Sequence, residues 1–264
     1  MSNFLETVME ARRLALEVEL GDLTRADLER IACAARPPRD FIGALSDRPD
    51  VAVIAEVKKA SPSRGLIAPD CEASKQALHY QDGGAACISV LTEPDFFGGA
   101  FTDLSDVSDA VDIPVLCKDF VIDPMQLFIA RGHGADAVLL MVSILGESLA
   151  EYLDLATTLG LAALVEVHDR AELAIALAAK PRLIGVNSRD LRTLEVSPER
   201  VAPLLAEVKA SEAIAVAESG VKKRANVEAA AEAGADAVLV GETLMRAEFP
   251  EDVLQELTGV AKRP

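Results

Sequence analysis

From residue 51 onward, short apolar runs alternate with longer amphipathic segments along the chain. Eight short runs of mainly Val, Ile, Leu and Ala lie at residues 51–58, 87–92, 115–120, 137–143, 162–167, 183–187, 214–219 and 237–241. Such near-continuous runs are typical of parallel strands that are covered on both faces. The longer segments between them, including residues 149–159 and 170–179, have the amphipathic spacing of helices.

The strand–helix pattern recurs at regular intervals. Gly84, Gly134 and Gly234 each follow an Ala-rich or amphipathic segment and lead into an apolar run, at separations of 50 and 100 residues. This position is typical of a glycine that caps a helix before the next strand. Eight such units predict an α/β fold, the (β/α)8 or TIM barrel. The alternative, a doubly wound open sheet, normally has a glycine-rich turn after its first strand, which this sequence lacks.

A helical segment precedes the barrel pattern. Apolar side chains such as Phe4 and Val8 are interspersed with Glu and Arg, as in an amphipathic helix. Pro37 and Pro38 then interrupt the helical pattern. We therefore expect a single (β/α)8 domain over residues 1–264, with residues 1–48 as an amino-terminal helical extension.

The composition restricts the partners of the protein. Half of the residues are hydrophobic, which favours a large folded core over disorder. The chain has 26 Lys and Arg against 43 Asp and Glu, a net charge of −17, so nucleic acid and anionic membranes would be repelled. A small anionic ligand could still bind to a local cluster of cations and backbone N–H groups.

Targeting and metal-binding signals are absent from the sequence. The first residues lack the pattern of a secretory signal, and no apolar stretch reaches the length of a membrane span. The four cysteines lack the spacing of a zinc site or a redox pair. We therefore expect a cytoplasmic protein that uses neither a metal ion nor a cofactor.

Charged side chains stand at the carboxyl ends of predicted strands, where the active site of this fold lies. Glu56 and Lys58 share one face of the first strand, since side chains alternate between faces. Lys118 lies at the end of the third strand and Glu166 at the end of the fifth. Because buried charges require partners, we expect these four side chains to form one neutralised site. For any one of them alone, a solvated strand end is the alternative.

Small residues follow the last two predicted strands, where this fold often binds phosphate. Ser219 and Gly220 lie at the end of the seventh strand, and Gly241 lies at the end of the eighth. Such residues let backbone N–H groups approach an anion closely. Ser61 and Arg64, after the first strand, add a hydroxyl and a cation. Glycines that merely form tight turns are the alternative interpretation.

Two aromatic residues and one histidine lie close to the predicted site. Phe96 and Phe97 follow the second strand in a chain with only 4% aromatic residues. They either form an apolar wall of the site or pack the loop against the barrel rim, and the sequence leaves both interpretations open. His168 lies just beyond the fifth strand and could approach the site.

Several stretches resemble the indole-3-glycerol phosphate synthase family and occur in the family's order. They read IAEVKKASPS, LTE with FFGG, LCKDF, LVEVH, IGVNSRDL and AESG. The helical extension also fits this family. The resemblance implies a carboxy-lyase that closes the ring of 1-(2-carboxyphenylamino)-1-deoxyribulose 5-phosphate with loss of CO2 and water. The product would be indole-3-glycerol phosphate, in tryptophan biosynthesis.

The same resemblance implies a role for each candidate residue. It assigns catalysis to Glu56, Lys58, Lys118, Glu166 and Asn187, and substrate binding to Ser61, Phe97, Arg189, Glu218, Ser219, Gly220 and Gly241. Lys118 would be the acid for ring closure, and Glu166 its partner in proton transfer. Lys58 would lie near the substrate carboxylate or act as the acid in the dehydration. The base is left open between Glu56 and Glu166.

The binding residues divide between the two ends of the substrate. Asn187 and Glu218 would orient hydroxyl groups, and Phe97 would line the pocket for the anthranilate ring. The phosphate site would consist of Ser61, Ser219, Gly220 and Gly241. Glu242 follows this site directly, and we expect its side chain to point away from the phosphate.

Two other interpretations of the sequence remain open. One is a neighbouring phosphate-binding barrel such as phosphoribosylanthranilate isomerase, against which the pair Glu56 and Lys58 together with Lys118 argues. The other is a non-catalytic barrel that binds a phosphorylated ligand or a partner protein, although all the polar strand ends are present. We expect a small phosphorylated substrate as the partner, and a monomer or weak homo-oligomer.

Overall fold

Eight parallel strands close into a barrel in the computed structural model, which describes residues 4–190 and 197–263. The strands are β1 (Ala52–Val57), β2 (Cys87–Leu91), β3 (Val115–Lys118), β4 (Ala137–Met141), β5 (Ala162–Val167), β6 (Leu183–Asn187), β7 (Ile214–Glu218) and β8 (Ala237–Val240). Each strand pairs with its neighbours in sequence, and β8 closes on β1. The predicted TIM barrel is confirmed, and the doubly wound alternative is wrong.

Helices precede the barrel and connect its strands. They are α1 (Phe4–Leu20), α2 (Arg25–Ala34), α3 (Phe41–Ser46), α4 (Ala73–Asp82), α5 (Pro94–Phe97), α6 (Phe101–Ala110), α7 (Met125–Gly132), α8 (Val142–Leu145), α9 (Leu149–Thr158), α10 (Arg170–Ala179), α11 (Val201–Lys209), α12 (Arg224–Glu232), α13 (Glu242–Met245) and α14 (Pro250–Leu257). The break predicted at Pro37 and Pro38 falls between α2 and α3. In the described part of the chain, no helix combines the length and hydrophobicity that a membrane crossing requires.

Each observed strand lies inside the apolar run that predicted it. The differences amount to one or two residues at the ends, where polar residues already belong to the loops. The three glycines at the helix–strand junctions behave as expected, since Gly84, Gly134 and Gly234 have φ values of 93°, 84° and 98°. These left-handed angles favour glycine and let the chain reverse from helix to strand.

The two faces of each strand contribute to different cores. On β1, Val53 and Ala55 point outward and belong to the large cluster between strands and helices. Ala52 and Ile54 belong to a second cluster inside the barrel. The next inward position is Glu56, so the interior changes from apolar to charged toward the carboxyl end of the strand.

The helix α3 closes the amino end of the barrel. Its Phe41, Ile42 and Leu45 are at most 9% exposed. They belong to the interior cluster together with Ala52 and Cys87, the first residues of β1 and β2. The amino end is therefore sealed by apolar packing.

The helix α1 packs at the opposite end, beside the loops that follow β2 and β3. The Phe4 ring meets Phe96 edge-on at a centroid distance of 5.2 Å. Arg12 is fully buried, and its guanidinium donates to both carboxylate oxygens of Asp119 at 2.8 Å. Thr92 also donates to Asp119, at 2.9 Å. Because Asp119 directly follows β3, α1 is tied to the carboxyl end of that strand.

Candidate active site

The carboxyl ends of the strands surround a cavity of about 680 Å³. All twelve residues to which the resemblance assigns a role line it: Glu56, Lys58, Ser61, Phe97, Lys118, Glu166, Asn187, Arg189, Glu218, Ser219, Gly220 and Gly241. They come from several strands and from the loops that follow them. The fold thus brings together residues that are widely separated in the sequence.

The Lys118 ammonium lies between two buried carboxylates. Its Nζ donates to Glu218 Oε2 at 2.7 Å and lies 3.4 Å from Glu166 Oε2. The side chains of both glutamates are at most 2% exposed, and that of Lys118 is 13% exposed. One ammonium balances only one carboxylate, so this trio is electrically neutral when one glutamate carries a proton.

The shared ammonium shifts the pKa values of the trio in different directions. Burial opposes charge on Lys118, but the carboxylates of Glu218 and Glu166 outweigh it and raise the pKa of Lys118. Burial likewise opposes charge on Glu166, but Lys118 and His168 outweigh it and lower the pKa of Glu166. At Glu218, burial together with the charge of Glu166 outweighs Lys118 and raises the pKa. The trio therefore favours an ionised Glu166 and a protonated Glu218.

A second lysine–carboxylate pair lies on β1 and the residue that follows it. Lys58 Nζ donates to Glu56 Oε1 at 2.6 Å, and the Glu56 side chain is only 4% exposed. Gly241 faces this pair, and a Cβ atom there would overlap Glu56 Oε1 and lie 3.0 Å from Lys58 Nζ. Glycine at this position therefore keeps space for the pair, besides the part in phosphate binding that the resemblance implies.

Gly185 is a site residue that the sequence reasoning missed. It occupies an inward position of β6, two residues before Asn187. A Cβ atom there would overlap Glu218 Oε1 on the neighbouring strand β7. The sequence does show a glycine at an inward position of a strand. It does not show which neighbouring side chain occupies the space that the glycine leaves.

The loop after β7 has an unusual backbone that is held by a side chain. Ser219 and Gly220 have φ values of 67° and 83°. This conformation is strained for Ser219, whose Oγ donates to Asn187 Oδ1 at 2.8 Å. Asn187 Oδ1 also accepts from the backbone N–H of Arg189, at 3.0 Å. Asn187 thereby holds the ends of β6 and β7 in a fixed relation.

Cations and one carboxylate line the cavity near the carboxyl end of β8. Arg64, Lys222 and Arg246 are all part of the cavity wall. Glu242 lies there too, with its Oε1 3.3 Å from Arg64 Nε and 3.1 Å from Arg246 Nε. The two guanidinium groups hold the carboxylate of Glu242. That its side chain points away from a bound phosphate stays a prediction.

The two phenylalanines after β2 take different positions. Phe97 lines the cavity, and its ring lies 6.0 Å from that of Phe120. Phe96 instead packs on Phe4 of α1. Phe97 therefore forms part of the cavity wall, and Phe96 packs the loop against the barrel rim, so each interpretation is correct for one of the two residues.

His168 adjoins Glu166 on the side away from the cavity lining. Its Nε2 lies 3.2 Å from Glu166 Oε1, and its Nδ1 lies 2.9 Å from Glu172 Oε2. Burial opposes charge on the imidazole, but the hydrogen-bonding carboxylates of Glu166 and Glu172 outweigh it and raise the pKa of His168 to about 10. His168 therefore carries a positive charge at neutral pH.

The cavity combines proton-transfer groups with an anion site. The Lys118 ammonium can donate a proton, and the ionised Glu166 can accept one. Backbone N–H groups near Gly220 and the surrounding cations can hold a phosphate group. Among residues 4–190 and 197–263, no group of three or more His, Cys, Asp or Glu is placed to hold a metal ion.

Comparison with known proteins identifies close relatives. The family model for indole-3-glycerol phosphate synthase matches residues 5–257. The indole-3-glycerol phosphate synthase of Micrococcus luteus is 45% identical over 256 residues, which cover 95% of this chain and 95% of the relative. That of Mycobacterium avium is 45% identical over 264 residues, which cover 98% of this chain and 95% of the relative.

Solved structures with lower identity share the barrel. A chain of the tryptophan synthase a2b2 complex from Pyrococcus furiosus superimposes with a TM-score of 0.60 at 17% identity, covering 79% of this chain and 98% of that chain. A 3-hexulose-6-phosphate synthase also gives a TM-score of 0.60, at 18% identity, covering 78% and 98%. At these identities the likeness concerns the fold alone.

Proposed function

The chain belongs to the indole-3-glycerol phosphate synthase family, and from this premise we propose how its cavity performs the reaction. It is a carboxy-lyase of tryptophan biosynthesis that acts on a phosphorylated substrate. The substrate, 1-(2-carboxyphenylamino)-1-deoxyribulose 5-phosphate, loses CO2 and water and becomes indole-3-glycerol phosphate. This membership displaces the isomerase and the non-catalytic barrel as interpretations.

The position of Lys118 between two buried carboxylates is the observation that carries the mechanism. In ring closure, the aromatic carbon that bears the carboxylate bonds to the ketose carbonyl carbon. Lys118 donates its proton to the carbonyl oxygen, which becomes a hydroxyl group, and the carboxylate leaves as CO2. The raised pKa of Lys118 supports this role, because the proton is present at neutral pH.

Dehydration follows as a second acid–base step. Lys58 protonates the new hydroxyl group, which leaves as water, and a carboxylate removes the ring proton whose loss completes the indole. We assign this base to Glu166, because its lowered pKa keeps it ionised while Glu56 is bound to Lys58 at 2.6 Å. Two protons enter and one leaves, so each turnover of the ionised substrate takes up one proton from solvent.

The remaining residues of the cavity bind the substrate. Phe97 supplies an apolar face for the anthranilate ring, and Arg189 attracts the negatively charged substrate. Asn187 and Glu218 orient the hydroxyl groups of the sugar chain. The phosphate site consists of Ser61, Ser219, Gly220 and Gly241, where small side chains expose the backbone N–H groups.

A direct assay tests the proposed activity. The purified chain is incubated with the carboxyphenylamino substrate, and indole formation is followed by absorbance and fluorescence. The chain contains no Trp, so the product fluorescence is easily distinguished from that of the protein. The proposal requires indole-3-glycerol phosphate and CO2 in equal amounts, and the absence of product at high enzyme concentration would refute it.

We also propose the organisation and location of the enzyme. Packing of α3 on one end of the barrel and α1 on the other supports one domain over residues 1–264, with residues 1–48 as its extension. The net charge of −17 disfavours close association of copies and supports a monomer or weak homo-oligomer in the cytoplasm. Sedimentation at several concentrations tests the oligomeric state, and a tight dimer would contradict it.

A further inference from the structure

His168 is a buried, charged residue next to the cavity that the proposed mechanism does not use. Its side chain is 7% exposed and does not line the cavity. Nevertheless its Nε2 lies 3.2 Å from Oε1 of Glu166, the proposed base. Lys118 approaches the second oxygen, Oε2, at 3.4 Å.

The first turn of α10 fixes the position of the His168 ring. Glu172 Oε2 accepts from the backbone N–H of His168 at 2.8 Å and contacts its Nδ1 at 2.9 Å. Glu172 is itself held by the helix start, where the Asp169 side chain accepts from its backbone N–H at 2.9 Å. With Nδ1 directed at Glu172, the opposite ring nitrogen faces Glu166.

These residues form a row of alternating acidic and basic side chains across the site. From the helix inward, the order is Glu172, His168, Glu166, Lys118 and Glu218. Glu166 is thus faced by His168 from the loop after its own strand β5, by Lys118 from β3 and by Glu218 from β7. His168 is faced by the carboxylates of Glu166 and Glu172.

We propose that His168 is a positioning residue that keeps Glu166 ionised and oriented, so that the proton shared by the two carboxylates stays on Glu218. The inference rests on the proposed role of Glu166 as base. Lys118 lies closer to Glu218 than to Glu166, at 2.7 Å against 3.4 Å, so on its own it favours the negative charge on Glu218. The imidazolium acts in the opposite direction, because it lies beside Glu166.

Replacement of His168 by glutamine tests this inference. His168→Gln keeps a neutral hydrogen-bond donor but removes the positive charge, so the pKa of Glu166 rises. We expect the acid limb of the kcat/KM profile to move to higher pH by about one unit. Loss of the contact that orients the Glu166 carboxylate should lower kcat at neutral pH by about ten-fold. KM should change less than about three-fold, since His168 does not touch the cavity.

Two further variants calibrate the effect. Glu172→Gln keeps a hydrogen-bond acceptor for His168 but removes the negative charge beside its Nδ1. The acid limb of the kcat/KM profile should again move to higher pH, by a smaller amount than in His168→Gln. His79→Gln is the matched control, because His79 is exposed on α4 and distant from the site, and its profile should match the wild type. A fall in kcat without a shift of the acid limb in His168→Gln would overturn the proposal.

A readout independent of turnover covers the case in which a variant fails to fold or the wild type is inactive. The chain has three histidines, so NMR can follow each ring in the wild-type protein. The His168 ring should stay protonated through neutral pH and titrate near pH 10, whereas burial lowers the pKa of His133. If His168 titrates near pH 6.5, the proposal is wrong; an inactive wild type with a protonated His168 would refute only the proposed function.

Discussion

At the amino end of the barrel the inward strand positions hold Ala52 and Cys87 against Phe41 of α3, whereas at the carboxyl end the same face holds Glu56 and Lys118. The first end is closed and apolar. The second opens into a cavity in which buried charges meet. The same strands thus supply two environments within a few residues of each other.

This contrast separates the sources of stability and of chemistry. Burial of apolar surface stabilises the fold by roughly 25 cal/mol per Å². Buried charges contribute little net stability and are tolerated only in well-paired groups such as Lys118 with its two glutamates. Substitutions at the amino end should therefore change the free energy of unfolding, and those at the carboxyl end should change turnover.

The largest effect is expected from Lys118→Met. We expect kcat to fall about 10⁴-fold, the upper end of what a general acid contributes and about 5.5 kcal/mol in the barrier. The substrate should still bind, because the phosphate site is unchanged. Steady-state kinetics and calorimetric binding measure the two quantities. Lys75→Met, an exposed position on α4, is the matched control, and near-normal turnover of the Lys118 variant would contradict the acid assignment.

The converse variant is Phe41→Ala at the closed end. Phe41 is 1% exposed, and its truncation should lower the free energy of unfolding by about 4 kcal/mol through lost burial and a new cavity. Below the unfolding transition kcat should remain close to that of the wild type. Denaturant unfolding and kinetics at the same temperature check both. Phe249→Ala serves as the control, since Phe249 is 57% exposed. Equal destabilisation by the two substitutions would contradict the role of Phe41 in closing the amino end of the barrel.

A smaller effect on both properties is expected from Gly185→Ala. The new Cβ atom meets Glu218, so overpacking should destabilise the fold by about 1–3 kcal/mol. Because Glu218 must shift, its contact with Lys118 is disturbed, and kcat/KM should also fall by about ten-fold. Gly241→Ala makes the same test against Glu56. Unchanged kinetics in both variants would show that the glycines do not set the positions of these carboxylates.

The smallest effect is expected from Glu242→Gln at the rim of the cavity. Its carboxylate is 34% exposed and pairs with Arg64 and Arg246. Its removal leaves the phosphate end more positive, and KM should fall about two- to three-fold, less than 1 kcal/mol. The change should shrink as salt is added. Glu228→Gln on α12 is the exposed control, and a rise in KM for Glu242→Gln would contradict this account.

The fold could be predicted because its signals are local. Each strand is a short apolar run, and each junction glycine such as Gly134 has the left-handed angle that the pattern implies. Burial on both faces makes the strand runs nearly continuous, so they stand out from the amphipathic helices. The strand ends were placed one or two residues too far, since residues such as Thr92 can belong to either strand or loop.

The site could be predicted only in part, because its residues meet across the barrel. Alternation along β1 indicates that Glu56 and Lys58 share the inward face, and the fold then places them at the mouth. The partner of a long side chain depends on three-dimensional distance. Sequence alone therefore did not reveal that Gly185 makes space for Glu218, or that Glu242 stays at the cavity wall.

The buried pair of Arg12 and Asp119 has a consequence for how the newly made chain assembles. The two residues lie 107 positions apart. Within α1 the guanidinium pairs with the partly exposed Glu19 carboxylate at 2.9 Å, but its full burial is strongly unfavourable without Asp119. When α1 leaves the ribosome, Asp119, which follows β3, has not yet been synthesised. Until then the apolar side chains of Leu5 and Val8 on α1 also remain exposed to solvent. The helix that is synthesised first can therefore pack only after nearly half of the chain has been made.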